Sequence, residues 1–201
     1  MTELQVLQGV RLKGRIADTD ALAQTIGEDP AAMTRVVDSL TESGLLLAGK
    51  SLRLTEAGRE RLRELLAAER AGIDQDALAS AYDDFRSVNA AFKELVSDWQ
   101  LKDGSPNTHD DADYDVAVLA RLDRVHEQVM PVITTAATQL PRLAAYADKL
   151  RAALDKVHSG DTAWLTRPII DSYHTVWFEL HEELIGAAGL TREDEARAGH
   201  G

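Results

Sequence analysis

Three histidines of this 201-residue chain fall on apolar helical stripes, where an imidazole nitrogen can meet a ligand. His174 and His181 flank Trp177 at steps of three and four residues, so all three share one face of a helix. His126 lies on the apolar stripe of a separate helix. Because these stripes must pack against partner helices, we expect the three imidazoles to converge inside a helical core.

Two aspartates stand one helical turn before these histidines, Asp123 before His126 and Asp171 before His174. A carboxylate at this distance can fix an imidazole tautomer or ligate a metal itself. The pattern favours a polar pocket for a divalent metal or an anionic effector, with ordinary core histidines as the alternative. The candidate metal ligands are His126, His174, His181, Asp123 and Asp171. The candidate pocket residues are His126, Tyr173, His174, Trp177 and His181.

Common catalytic motifs are absent from the sequence. It has no Gly-rich phosphate loop, no Gly-x-Ser-x-Gly elbow and no His-Glu-x-x-His pair. The chain has no cysteine, which excludes disulfides, thiolate metal sites and cysteine nucleophiles. We therefore expect a protein that is not an enzyme.

The segment that carries the histidines is predicted to be an antiparallel helical bundle over residues 74–190. Apolar residues recur every three or four positions from Leu78 to Trp99, which indicates a long amphipathic helix. Further helices are expected over 116–130, 140–157 and 168–185. Pro131 is expected to end or kink the second helix, residues 102–114 are expected to form a loop, and residues 191–201 a flexible tail.

The first 73 residues predict three short helices and then a β-hairpin. The helices are expected over 4–13, over 20–26 and from Pro30, with Asp29 as the N-cap of the third. Extended runs over 45–47 and 52–54 flank a compact turn, and a helix follows over 56–70. This order of elements is typical of a winged helix-turn-helix domain.

Two segments resemble the MarR-type family of winged-helix transcriptional regulators. Leu52-Arg-Leu-Thr-Glu-Ala-Gly-Arg-Glu-Arg-Leu62 is similar to the family's wing strand and the helix after it. Val36-Val-Asp-Ser-Leu-Thr-Glu-Ser-Gly-Leu-Leu46 is similar to its recognition helix and exit. The resemblance covers residues 4–70, although the hairpin turn is short and lacks the family's Asp-x-Arg. It implies a homodimer that binds double-stranded DNA.

In a winged helix the third helix enters the major groove of DNA. If Met33, Val36, Val37 and Leu40 face inward, the opposite face, with Ala31, Thr34, Arg35 and Asp38, carries the base contacts. Arg35 is the candidate for a base edge, and Thr34 for a base or a phosphate. The residues expected at the DNA are Ala31, Thr34 and Arg35 in the groove, and Arg11, Lys13, Arg15, Lys50, Ser51 and Arg53 on the phosphate backbone.

Charge is distributed unevenly along the chain, whose net charge is −12. Residues 1–73 carry a net charge of −1, and residues 74–201 carry −11. The first segment thus repels a phosphate backbone far less than the second, although it is not basic. No apolar run approaches the roughly 20 residues that span a bilayer, and no signal peptide is evident. A cytoplasmic location without membrane association is therefore expected.

The sequence thus predicts a mainly α DNA-binding transcriptional regulator with a helical effector-binding or dimerisation domain. Its expected partners are double-stranded DNA, a second copy of the chain, and a small-molecule or metal effector. Two other classes stay open. One is an adaptor whose winged helix docks a protein, and the other is a metal-binding helical protein or an enzyme built on such a metal.

Overall fold

The computed structural model describes residues 2–14 and 16–197, and the predicted mainly helical fold is confirmed. The chain divides into two compact units, Met1–Ile73 and Asp74–Gly201. Within the described ranges, no helix combines the length and the apolar character needed to cross a lipid bilayer.

In its described residues, the first unit contains four helices and one hairpin. Asp18, Asp29 and Thr55 each cap a helix by accepting a backbone N–H three residues on. The helices face a core that is entirely aliphatic, with Val6, Leu7, Leu22, Met33 and Leu62 almost fully buried. The elements are α1 (Glu3–Lys13), α2 (Thr19–Ile26), α3 (Pro30–Glu42), β1 (Leu46–Leu47), β2 (Arg53–Leu54) and α4 (Glu56–Ala71).

The hairpin pairs β1 and β2 antiparallel, with Leu46 opposite Leu54. Its second arm also bridges to the segment after α1, where Ile16 pairs with Leu52. Both residues of this bridge are buried, 4% exposed each. The hairpin is therefore fixed to the helical core along one edge, and its turn over residues 48–50 is exposed.

Gly58 lies where α4 crosses the start of the hairpin. A Cβ atom at this position would lie 2.0 Å from the backbone oxygen of Leu45. The adjacent Thr55 hydroxyl donates to the Gly44 oxygen at 2.7 Å and accepts the Gly58 N–H at 2.9 Å. These contacts join the end of α3, the hairpin and α4. Thr55 caps α4 through the N–H of the residue three positions on, and that residue, Gly58, is the one that must lack a Cβ atom.

The second unit is built from long helices. α5 packs along α6, and α9 packs against α7, α8 and α5. A 3₁₀ turn, Pro141–Ala144, precedes α7. The elements are α5 (Gln75–Gln100), β3 (Leu101–Lys102), β4 (Ser105–Pro106), α6 (Ala112–Gln139), α7 (Ala145–His158), α8 (Ala163–Thr166), α9 (Tyr173–Ala187) and α10 (Arg192–Arg197).

Helix α6 departs from the sequence prediction at both ends. It begins at Ala112, because Asp111 caps it by accepting the Tyr114 N–H at 3.1 Å. It then continues through Pro131, where an end or a kink was expected. Pro131 is exposed, and so is Glu127, whose carbonyl loses its helical hydrogen-bond donor to the proline ring. The predicted loop over 102–114 also contains the short hairpin β3–β4.

The last long helix begins later than predicted, at Tyr173 instead of Pro168. Ser172 caps it by accepting the Thr175 N–H at 3.3 Å. The expected flexible tail is also wrong in part, because residues 192–197 form α10. Glu195 of α10 is 1% exposed and binds Arg86 of α5 at 2.5 Å. Residues 198–201 lie outside the described part of the chain.

Helix α9 buries two carboxylates against α7 and the turn before it. Glu183 is 2.6 Å from Arg142, and both side chains are almost fully buried. The Tyr146 hydroxyl donates to Glu183 at 3.5 Å, and Lys149 lies 3.9 Å from Glu179. Burial, followed by the Glu183 charge, raises the pKa of Tyr146 well above its ordinary value. This face of α9 is thus held by paired charges, whereas the side that packs on α5 is rich in aromatic residues.

Candidate functional site

One face of α3 is available to a partner. Met33, Val37 and Leu40 point into the core, 0%, 3% and 7% exposed. Thr34 and Arg35 lie on the opposite, exposed face of the first two turns. The Thr34 hydroxyl donates to the Pro30 oxygen at 3.0 Å, so its side chain stays close to the helix. Arg35 is therefore the long, exposed cation on this face, next to the exposed Ala31.

The other expected DNA contacts lie around the hairpin and the end of α1. Lys50, Arg53 and Arg11 are exposed, and the Arg11 Nε donates to Gln8 at 3.0 Å. Lys13 is half-buried. Ser51 is only 7% exposed, because the Ile16–Leu52 bridge draws this part of the hairpin against the core. Ser51 therefore offers little surface to the expected phosphate, and Arg15 lies outside the described residues.

An aromatic cluster forms the core between α5 and α9. The Trp177 ring lies 4.4 Å from Phe92 and 5.2 Å from Phe85, centroid to centroid. Its Nε1 donates to the buried Asn89 at 2.9 Å, which fixes the orientation of the indole. The Tyr82 hydroxyl lies 3.2 Å from His181 Nε2, so this imidazole is joined to α5 as well.

A pocket of about 320 Å³ lies along this cluster, which is near the lower end of the range for small-molecule sites. Phe92, Val96 and Trp177 supply apolar walls, and the imidazoles of His174 and His181 line the same space. The complete lining is Asn89, Phe92, Lys93, Val96, Ser97 and Gln100 from α5, with His174, Trp177, Phe178 and His181 from α9. Such a lining suits an organic molecule with a flat apolar body and a hydrogen-bonding group.

The structure brings together only part of the predicted histidine site. His174 and His181 line the pocket with Trp177, whereas His126 and Tyr173 are not among the lining residues. His126 Nδ1 lies 3.2 Å from the Tyr173 hydroxyl, so it contacts the far side of the aromatic cluster. His174 lines the pocket with part of its ring but stays largely exposed to solvent, whereas Tyr173 and Trp177 are buried, so His174 does not lie in the helical core as predicted.

The predicted metal set is not assembled. Across residues 2–14 and 16–197, no group of three or more His, Asp or Glu side chains is placed to hold a metal ion. Asp123 instead binds His158 of α7 at 2.8 Å. The side chains of His126, His174, His181 and Asp171 belong to no such group. The described residues thus do not bring the predicted ligands together.

Desolvation lowers the pKa of two of the imidazoles. Burial lowers the pKa of His126 from its ordinary value, and the Arg151 charge lowers it further. Burial also lowers the pKa of His174, which lies 6.0 Å from the Phe92 ring, centroid to centroid. A neutral imidazole can both donate and accept a hydrogen bond. In that form His174 can bind either a hydrogen-bond acceptor or a donor of a ligand.

Sequence reasoning missed the α5 side of this pocket. Lys93, Ser97 and Gln100 follow each other at steps of four and three, beside the apolar stripe that was recognised. That spacing could have identified them as the edge of the buried face. Whether these three residues line a pocket depends on which face of α9 packs against α5. The periodicity of one helix does not show how it packs against another.

Comparisons with models of protein families, with curated proteins and with solved structures find no match for this chain. The functional assignment therefore depends on the residues and their geometry.

Proposed function

We propose that this chain is a DNA-binding transcriptional regulator, with a winged helix in the first unit and an effector pocket in the second. The proposal is carried by the two faces of α3. One face buries Met33, Val37 and Leu40, and the other leaves Thr34 and Arg35 exposed in the first turns. Recognition helices present base contacts from this part of the helix. The order of three helices and a hairpin, and the MarR-type resemblance of residues 4–70, support the same assignment.

The hairpin supports the proposal further. The Ile16–Leu52 bridge fixes one edge of the hairpin, and its exposed turn carries Lys50. This is the arrangement expected of a wing that follows a DNA backbone while α3 occupies the groove. We propose a homodimer, because two copies would present two recognition helices to a two-fold symmetric operator.

Replacing Arg35 by alanine is expected to weaken binding to the preferred duplex by about 1–3 kcal/mol, or roughly 5- to 150-fold. The reason is the loss of a guanidinium that can contact a guanine edge through two hydrogen bonds. Fluorescence anisotropy with the full-length protein measures this change. The matched control is Arg63→Ala, which removes an exposed arginine of α4 that pairs with Glu60. Equal affinities of the two variants would exclude Arg35 from the interface.

The pocket in the second unit is proposed to bind a small aromatic anion. A tryptophan in place of the exposed Ser97 would fill the pocket from its edge, without changing the core. Binding of naphthalene-1-sulfonate, followed by calorimetry, is expected to become at least about tenfold weaker, since the ring of the probe and the new indole compete for the same space. Ala90→Trp places the same residue at an exposed position of α5 outside the pocket. If both variants bind the probe equally well, the effector site lies elsewhere.

A protein-docking adaptor is the second candidate. Asp38 is exposed on the same face of α3 as Arg35, and the whole unit carries a net charge of −1. A mixed face of this kind suits a protein partner better than a uniformly basic face would. If the protein is such an adaptor, the full-length chain is expected to show no sequence preference for DNA at any salt concentration.

A further inference from the structure

A second pocket lies in the first unit, at the base of the hairpin. Its volume is about 370 Å³, and it is lined by three arginines from three different elements: Arg11 of α1, Arg53 of β2 and Arg59 of α4. Arg59 was not expected at a functional surface. It reaches the pocket because α4 begins directly after β2, so its first turn lies beside the hairpin.

From this pocket we infer a site for the phosphate group of a phosphate ester. Three arginines line one space, so the potential there is positive and favours an anion. The seven lining residues, all within the described part of the chain, include no carboxylate. Guanidinium groups bind phosphate oxygens through paired N–H donors, which makes phosphate a better match than a single-charge anion of another shape.

The orientation of Arg59 supports this assignment. One of its Nη atoms donates to the Leu54 oxygen at 3.2 Å, which holds the guanidinium beside β2. A guanidinium has five N–H donors, and this bond uses one of them. Arg53 and Arg11 are both exposed, so an anion can reach them from solvent.

The floor of the pocket indicates what accompanies the phosphate. Val10, Leu47 and Leu54 line the pocket with the arginines, and Leu47 is 54% exposed. An apolar surface of this kind packs against carbon atoms such as those of a sugar. The volume also exceeds what one phosphate group fills. A ribose or deoxyribose phosphate, either in a nucleic acid backbone or in a free phosphorylated molecule, therefore fits both parts of the site.

If the chain binds DNA as proposed, the DNA backbone is one source of this phosphate. The DNA part of the test therefore rests on the proposed function. The full-length protein and its Arg53→Ala, Arg59→Ala and Arg63→Ala variants are titrated with a 20-base-pair duplex over a range of salt concentrations. Each pocket variant is expected to reduce the slope of log K against log salt by about 0.9, the value for one lost phosphate contact. Arg63→Ala is the matched control, since it removes the same charge from α4 outside the pocket.

The second arm uses inorganic pyrophosphate as the probe, with binding measured by calorimetry on the same four proteins. The two pocket variants are expected to bind it at least about tenfold more weakly than the wild-type protein and Arg63→Ala. The two pocket variants could lose pyrophosphate binding while the slope of log K against log salt for the duplex stays unchanged. That result would support the phosphate site and identify a free phosphorylated molecule as its ligand.

Two results would overturn the inference. One is that Arg53→Ala and Arg59→Ala change neither the DNA slope nor the pyrophosphate affinity. The other is that Arg63→Ala changes both as much as they do, which would indicate a general charge effect. If the wild-type protein binds no DNA, the proposed function fails, and the pyrophosphate arm still decides whether the pocket binds phosphate.

Discussion

Glu183→Ala is expected to lower the free energy of unfolding of the second unit by about 3–5 kcal/mol. Glu183 and Arg142 form an ion pair at 2.6 Å, with side chains 4% and 10% exposed. Removing the carboxylate leaves the Arg142 charge in a site that excludes water, and it also removes the acceptor of the Tyr146 hydroxyl. The loss of these contacts is expected to cost much more than the loss of a surface carboxylate.

Urea denaturation followed by tryptophan fluorescence measures this effect selectively, because Trp99, Trp164 and Trp177 all belong to the second unit. Glu94→Ala is the matched control, since Glu94 is exposed on α5 and its loss is expected to change stability by less than about 0.5 kcal/mol. The double variant Glu183→Leu/Arg142→Met is expected to recover most of the loss, because it removes both charges of this pair and leaves neither buried without its partner. Equal midpoints for Glu183→Ala and Glu94→Ala would show that the buried pair contributes no stability.

Gly58→Ala is expected to destabilise the first unit by about 1–3 kcal/mol or more. The added methyl group would lie 2.0 Å from the Leu45 oxygen, which is backbone and cannot move aside as a side chain can. Either α4 or the hairpin must shift, and the Thr55 bonds that join them are strained or lost. Because this contact fixes the hairpin, the variant is also expected to bind duplex DNA more weakly.

The first unit contains no Phe, Trp or Tyr, so its unfolding is followed by circular dichroism at 222 nm instead of fluorescence. Gly49→Ala is the matched control in the same unit. A Cβ atom on Gly49 meets nothing within 4 Å. We expect the control to unfold like the wild-type protein and Gly58→Ala to unfold at a lower urea concentration. An unchanged midpoint for Gly58→Ala would contradict the close approach of α4 to the hairpin.

The sequence contained the local signals of the first unit. Asp29 and Pro30 begin α3, and Thr55 begins α4, as expected from the chemistry of helix caps. The alternation of buried and exposed positions along α3 followed from its period of 3.6 residues. These features depend on neighbours within one or two turns, which explains why they could be predicted from one sequence.

The features that could not be predicted depend on contacts between distant residues. Periodicity placed His174 on the inner stripe of its helix, but whether it is buried depends on how α9 packs against α5. The α10 helix could not be expected from its polar sequence, because its order depends on Glu195 binding Arg86, 109 residues away. The pocket of Arg11, Arg53 and Arg59 likewise arises only when three elements meet.

Selection of duplexes from a random pool by the full-length protein tests DNA recognition most directly. We expect the wild-type protein to enrich a two-fold symmetric sequence, with half-sites centred about 10 base pairs or a multiple apart. Arg35→Ala is expected to enrich the same spacing with a relaxed preference at one guanine of each half-site. If the wild-type protein leaves the pool random at low salt, the first unit does not read DNA, and the adaptor function takes its place.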